Sequence, residues 1–280
     1  MTGAGRRALV TGGSRGIGLA VAQALATRGW RLALLARDAA RIESAVSSLP
    51  GAGHEGFALD VSDPDAWSGL AGSLDDVEGV VCAAGVLEPV GPIGTYSSED
   101  FRRTLDVNVL GTLLAIEACL PSLRERGGAV ATFGGGGATS PLPGFDAYAT
   151  SKAAVVRLTE NIAASLAADG VSVNCVAPGF VATEIHQATL AAGPGLAGEE
   201  YFASTRAQLE GGGVPASEAA ELVCLLLDRG GVSFTGRLIS AQWDPWREDA
   251  FRLRLASEPD LGTLRRIDGM FFVTKEHVGT

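Results

Sequence analysis

The run Arg7-Ala-Leu-Val-Thr-Gly-Gly-Ser-Arg-Gly-Ile-Gly18 restricts the choice of fold more than any other stretch. Four apolar or small residues lead into a glycine-rich turn, and a helix-period pattern follows from Leu19 to Arg28. Strand, glycine turn and helix N-terminus together make a cradle for a phosphate. The backbone can approach closely, and the free N–H groups and helix dipole face the anion. Gly29 ends the helix and Arg31-Leu-Ala-Leu-Leu-Ala36 reads as a second strand. Two strands joined through a helix must lie parallel, because a parallel pair needs a crossover of this length.

The same rhythm continues. Further strands are expected at 56–61, 77–82, 128–133, 171–176 and 236–240, and further helices at 39–49, 64–74, from Ser97 onward, at 147–168 and at 217–228 with Ser217 as cap. Alternating strands and helices give an α/β fold, a doubly wound parallel sheet of about seven strands in three layers. One domain spans 1–242. Within it, residues 184–213 form a Gly- and Ala-rich insertion with two short helices, placed after a strand as a substrate loop would be. Residues 243–280 form a C-terminal extension, read as a lid or a subunit contact, or as a surface-docked helix and strand. Trp243, Trp246 or one of Arg252, Arg254, Arg265 and Arg266 is positioned in sequence to close a pocket, with Phe271-Phe272-Val273 beyond them.

Composition narrows the partners. A net charge of −10 argues against nucleic acid or an anionic membrane surface. No secretory leader or membrane span is expected, and Cys82, Cys119, Cys175 and Cys224 lie scattered in apolar runs without metal-ligand spacing. Reduced core thiols in a cytoplasmic protein follow. His54, His186 and His277 are too far apart to nominate a metal. A small-molecule substrate is the remaining class of partner.

Two further features carry chemistry. At the tip of the second strand a carboxylate would bind the ribose hydroxyls of NAD. Here Ala36 is followed by Arg37, and Arg15 stands in the glycine loop, so a 2′-phosphate is better matched: NADP(H) is favoured, with NAD(H) possible. Asp38 is read as a cap for the next helix. Tyr148 and Lys152, four apart at the start of a helix, project from one face. An ammonium beside a phenol is expected to lower its pKa and let it give or take a proton.

With these segments in place the chain resembles the short-chain dehydrogenase/reductases, single-domain Rossmann-fold oxidoreductases, over residues 6–242. The resemblance rests on Thr11-Gly-x-x-x-Gly-x-Gly18, Asp60-Val61, Ala84-Gly85, Asn108 in Asn-Val-x-Gly, Tyr148-x-x-x-Lys152, and Pro178-Gly179 with Thr183, in order and at family spacing. It implies that Tyr148, Lys152 and Asn108 are catalytic. Tyr148 would be the general acid or base, Lys152 would bind the nicotinamide ribose, and Asn108 would hold a relay water. It further implies that Gly12, Ser14, Arg15, Gly16, Ile17, Gly18, Arg37, Asp60, Val61, Ala84, Gly85, Pro178, Gly179, Val181 and Thr183 hold the cofactor. A homodimer or homotetramer, paired through the helices at 97–126 and 147–168, is implied as well.

The chain also departs from the family. The family's active-site serine, thirteen residues before the tyrosine, is Gly135, and Thr132, Thr139 and Ser140 are the nearest hydroxyls. The asparagine pair common before Ala-Gly is Cys82-Ala83, which threatens a hydrogen bond in the middle of the sheet. Gly135, Gly136, His186 and Trp243 are nominated for substrate contact, and Glu184 stands beside His186. The reaction expected is interconversion of a carbonyl and a secondary alcohol on a sugar-like or polyhydroxylated substrate. An epimerase or dehydratase with transient cofactor oxidation, or a silent cofactor-binding protein, are the alternatives.

Overall fold

The structure is a computed structural model that describes residues 5–70, 72–228 and 233–265. Seven parallel strands run β1 Arg7–Thr11, β2 Arg31–Ala36, β3 Glu55–Ala58, β4 Val77–Cys82, β5 Ala129–Phe133, β6 Ser172–Ala177 and β7 Leu238–Ser240. Their spatial order is β3-β2-β1-β4-β5-β6-β7. The order reverses between β1 and β4, and a crevice opens there at the carboxyl ends of the strands. The helices are α1 Gly16–Thr27, α2 Ala39–Ser48, α3 Pro64–Ser68, α4 Ser98–Leu105, α5 Gly111–Arg126, α6 Asp146–Leu166, α7 Gln187–Ala197, α8 Glu199–Glu210, α9 Ala216–Leu227 and α10 Asp249–Ser257.

Strand side chains alternate between two apolar layers, as the pleat requires. Ala8, Val10, Leu32 and Leu34 meet α1, α2 and α9 on one face, while Leu9, Ala33 and Leu35 meet α3, α5 and α6 on the other. Both faces are covered, so the strands are apolar throughout rather than alternating with polar residues. The helix ends follow local chemistry. Ser97 and Asp100 form a reciprocal capping box at α4, Asp38 caps α2 through the Arg41 amide, and Gly127 ends α5 in the left-handed region.

Some expectations shift. The third strand stops at Ala58, so Asp60 sits just past its tip instead of within it. Ser217 does not cap α9, which starts at Ala216 with Pro215 before it and no side-chain cap. The substrate loop does hold two helices, α7 and α8, and its base is pinned by a bridge between Val181 and Gly213. The continuous helix Ser98–Arg126 is long and apolar enough to cross a membrane, although no run of 18 apolar residues exists in the sequence. Here it packs against β4 and the apolar layer beneath it.

Cys82 does not loosen the sheet. It pairs in register with Thr11 and Thr132, and the Thr11 hydroxyl accepts from the Ala84 amide at 3.2 Å. All four cysteines are free and buried.

The extension beyond 242 is not a separate unit as far as it is described. Trp246, Phe251, Leu255 and Leu261 join the same apolar layer as α1 and α9. Trp246 is therefore a core residue and no pocket lid; its indole N–H donates to the Ala241 carbonyl, and the Arg247 guanidinium lies 3.9 Å over its ring. Arg252, Arg254 and Arg265 are engaged with Asp249, Glu258 and Asp260. Arg266 and Phe271-Phe272-Val273 lie outside the described residues.

Candidate active site

The crevice at the strand reversal opens into one cleft of about 1840 Å³. Every nominated cofactor residue lines it: the loop Gly12 to Gly18, Arg37, Asp60 and Val61, Ala84 and Gly85, Tyr148 and Lys152, and Pro178 to Thr183. So do Gly135, Gly136, His186 and Trp243. Asn108 is the exception and lies buried behind the wall.

The glycine loop is shaped by contacts that no side chain could share. Gly12 adopts φ +65°, and a Cβ there would come within 2.8 Å of the Ala84 amide nitrogen. A Cβ on Gly18 would fall 2.2 Å from the Gly12 carbonyl oxygen. The loop after β1, the start of α1 and the segment after β4 thus interlock through bare backbone.

At the outer end of the cleft the cationic residues converge. Arg15 pairs with the Glu184 carboxylate, and Arg41, at the start of α2, contacts both oxygens of the same carboxylate at 3.2 and 3.3 Å. Asp38 is occupied as the α2 cap and lies 3.5 Å from the Arg41 side chain. Sequence reasoning nominated Arg15 and Arg37 but missed Arg41. Its place in the first turn of α2, one turn from Arg37, was the available signal. Asp60 accepts from the Ser62 amide and hydroxyl at 3.0 and 2.7 Å. Partial burial works to raise its carboxyl, but Ser62, then Arg37 and Arg103, outweigh that and hold it below the usual range.

At the inner end Tyr148 and Lys152 project from the first turns of α6. Tyr96 donates to Asp146 at 2.6 Å and fixes where that helix begins. The Lys152 ammonium is buried, donates to the Phe133 carbonyl at 3.1 Å, and lies 5.6 Å from the Tyr148 ring centroid. Among the described residues no carboxylate answers it, and burial lowers its pKa from 10.5 to about 8. Burial also raises the Tyr148 phenol, with Tyr201 adding to the rise. The phenol is shifted upward, against the expectation that Lys152 holds it below its ordinary value. Desolvation of the phenolate is the largest cause, and the buried ammonium is turned to the Phe133 carbonyl.

Asn108 sits in a π-helical turn, Asp106–Leu110, that separates α4 from α5. Its side chain accepts from the Val86 amide at 2.9 Å and donates to the Val86 carbonyl at 2.9 Å and to Ser151 at 2.8 Å. Ser151 in turn donates to the Tyr148 carbonyl at 2.7 Å. Asn108 thus clamps the segment after β4 to the first turns of α6, a connection through Ser151 that the sequence did not disclose.

The missing serine has a structural counterpart. A Cβ on Gly135 would lie 2.6 Å from the Tyr148 hydroxyl, so the phenol occupies space that a side chain would need. Thr132 is turned away and shares a 2.7 Å hydrogen bond with Thr159, and Ser140 lies outside the cleft; of the three nearest hydroxyls only Thr139 lines it. Among the described residues, the Gly134 amide is taken by Val176 and the Ala138 amide by the Gly135 carbonyl, while the amides of Gly135, Gly136 and Gly137 have no protein acceptor.

Around this end, Tyr201 from α8 packs on Phe145 at 4.6 Å between centroids and joins Tyr148 in one apolar cluster. His186 stacks on Phe180 at 3.9 Å, and burial lowers its pKa. Its Nδ1 is buried without a partner. Trp243 is 78% exposed at the rim, the one large aromatic among the described residues of the extension that lines the cleft.

A family model described as short chain dehydrogenase matches residues 6–192. The chain belongs to the short-chain dehydrogenase family. It is therefore an NAD(P)-dependent oxidoreductase. An NADPH-dependent aldehyde reductase-like protein, chloroplastic, of Arabidopsis thaliana is 37% identical over 201 residues, which covers 65% of this chain and 74% of that protein. D-threitol dehydrogenase of Mycolicibacterium smegmatis is 36% identical over 188 residues, covering 65% and 72%. Among solved structures, NAD+-bound xylitol dehydrogenase shares 25% identity with a TM-score of 0.76, over 86% of this short-chain dehydrogenase and 98% of that chain. Another short chain dehydrogenase/reductase family protein shares 31% identity with a TM-score of 0.73. The curated relatives align with about two thirds of this family member. Among the described residues no three of His, Cys, Asp or Glu gather as metal ligands.

Proposed function

We propose that the protein is an NADP(H)-preferring oxidoreductase that interconverts a carbonyl and a secondary alcohol on a polyhydroxylated small molecule. The observation that carries this reading is a single cleft with two chemically distinct ends. The Tyr148 hydroxyl and the Lys152 ammonium stand at the inner end, and the glycine loop and converging arginines at the outer. The residues fit the cofactor: the backbone cradle at Gly12–Gly18 takes a pyrophosphate, and Arg15, Arg37 and Arg41 match a 2′-phosphate. Bound nicotinamide supplies the hydride.

The chain's own residues supply proton transfer and position. A phenol kept protonated by burial is suited to donate to the oxygen of a carbonyl under reduction. The Lys152 ammonium favours the phenolate as it forms, and with a pKa of about 8 it can pass its own proton on. Asn108 holds α6 and the wall after β4 in register, and a relay water beside Lys152 belongs to the same proposal. The unengaged amides of Gly135 to Gly137 take the place of the serine hydroxyl as donors to the substrate oxygen. Trp243 at the rim, with Gln242 and Thr263 in the wall, suits a ligand with alternating apolar faces and hydroxyls. Pairing of two copies through α5 and α6 is part of this reading.

The test is consumption of NADPH by the purified protein with a panel of ketoses, aldoses and simple ketones, followed by identification of the alcohol formed. NADPH consumed with a hydroxylated ketone and not with simple ketones supports the reading. Conversion of a sugar with no net change in reduced nicotinamide would favour an epimerase instead.

A further inference from the structure

The carboxylate that draws Arg15 and Arg41 together belongs to the protein itself. Glu184 opens the 3-10 turn Glu184–His186 that leads into α7, on the opposite wall of the cleft from α2. It reaches across to the glycine loop through Arg15 and to the first turn of α2 through Arg41. All three side chains are about half exposed, so the contact is a water-accessible strap and not part of the packed core. We infer that Glu184 is a cofactor-specificity residue: an internal anion that occupies the 2′-phosphate corner and must leave it before a phosphorylated dinucleotide can bind.

This rests on the reading of that corner as the 2′-phosphate site. The argument is one of charge. Arg15, Arg37 and Arg41 bring three positive charges, of which Asp38 and Glu184 already offset two. A 2′-phosphate adds a charge of about −1.5 to −2. It cannot share Arg15 and Arg41 with a carboxylate in contact with both, because like charges at such separation repel. A cofactor with a free 2′-hydroxyl adds no charge there and leaves the strap in place. Glu184 therefore acts against NADP(H) and leaves NAD(H) nearly untouched, which narrows the preference that the arginines create. When Glu184 is released, the first turn of the substrate segment loses its tie to α2.

The experiment is direct titration of NADPH and NADH into wild type, Glu184→Gln, Arg41→Ala and the double variant. Each exposed ion pair contributes little, so Glu184→Gln should tighten NADPH by about three- to tenfold. NADH affinity should change less than about twofold by the same reasoning, and the gain should shrink in the Arg41→Ala background, where Glu184 still pairs with Arg15. If Glu184→Gln leaves the NADPH-to-NADH ratio unchanged while Arg41→Ala weakens NADPH, the inference fails and the cofactor reading stands. If Arg41→Ala also leaves the ratio unchanged, the cofactor reading fails and takes the inference with it. A Glu184→Gln variant that weakens NADH would overturn the inference and assign Glu184 to a ribose hydroxyl.

Discussion

The two ends of the cleft solve opposite electrostatic problems. At the inner end a phenol and an ammonium are both buried, no carboxylate among the described residues answers them, and desolvation moves both toward their neutral forms. At the outer end three guanidiniums and two carboxylates stand half in water, where each pair contributes little and can exchange partners. The inner end is rigid because α6, the π turn and the segment after β4 are tied through Asn108 and Ser151. Across the outer end, Glu184 is tied to the glycine loop and to α2 by exposed ion pairs. Proton chemistry needs a fixed, water-poor pocket, whereas choosing between two cofactors needs a corner that can be vacated.

The comparison is broken most decisively at the inner end. On the proposed mechanism, Tyr148→Phe removes the proton donor and should lower kcat by about 10²–10⁴-fold, the usual contribution of a general acid. NADPH titration of the same variant should show near wild-type affinity. Retained turnover would remove Tyr148 from the chemistry.

Gly135→Ala brings a methyl to within 2.6 Å of the Tyr148 hydroxyl. The phenol must move by roughly an ångström, a displacement that can cost about 10²-fold in rate. Steady-state kinetics should show the loss in kcat with the melting temperature little changed. Wild-type kcat would mean that the phenol position seen here is not the working one.

Arg41→Ala tests the outer end. Loss of a charge-assisted contact to phosphate should weaken NADPH about ten- to a hundredfold. NADH should change little, and raising the salt should shrink the difference between variant and wild type.

The smallest effect is on stability. The Lys152 pKa in the folded protein, about 8, lies below its ordinary 10.5, so the unfolded chain binds the extra proton between those values and stability rises with pH across that window. Below about pH 8 the folded protein carries the full cost of a buried charge. Lys152→Met should therefore be more stable than wild type near pH 7, by on the order of 2 kcal/mol, with the advantage shrinking as pH rises toward 10. The buried cysteines, whose thiols are also raised, pull total stability the other way above their ordinary pKa of 9. The difference between the two proteins in urea melts at several pH values removes the contributions of Cys82, Cys119 and Cys224, while Cys175, which feels the Lys152 charge, is read together with it. An advantage that does not vary with pH would show that Lys152 keeps its ordinary pKa in the folded protein.

Much of this protein is local and so is legible in the chain. The βαβ start, the glycines that let Gly12 and Gly18 touch bare backbone, the Asp38 and Ser97 caps, and the one-turn spacing of Tyr148 and Lys152 all follow from residues within a few positions of one another. Every cofactor residue named from the motifs lines the same cleft for that reason. What the sequence could not show was set by contacts between distant segments. Arg41 and Glu184 are 143 residues apart, and only the closure of the substrate segment over α2 brings them together. Asn108 and Ser151 meet across 43 residues. Trp246 looked free to cover a pocket, and packing against α1 and α9 made it core. The direction of the Tyr148 shift was misjudged for the same reason. Spacing gives the distance to a neighbouring charge, but only the tertiary structure decides how much water is left around both groups, and here the lost water counts for more than the charge.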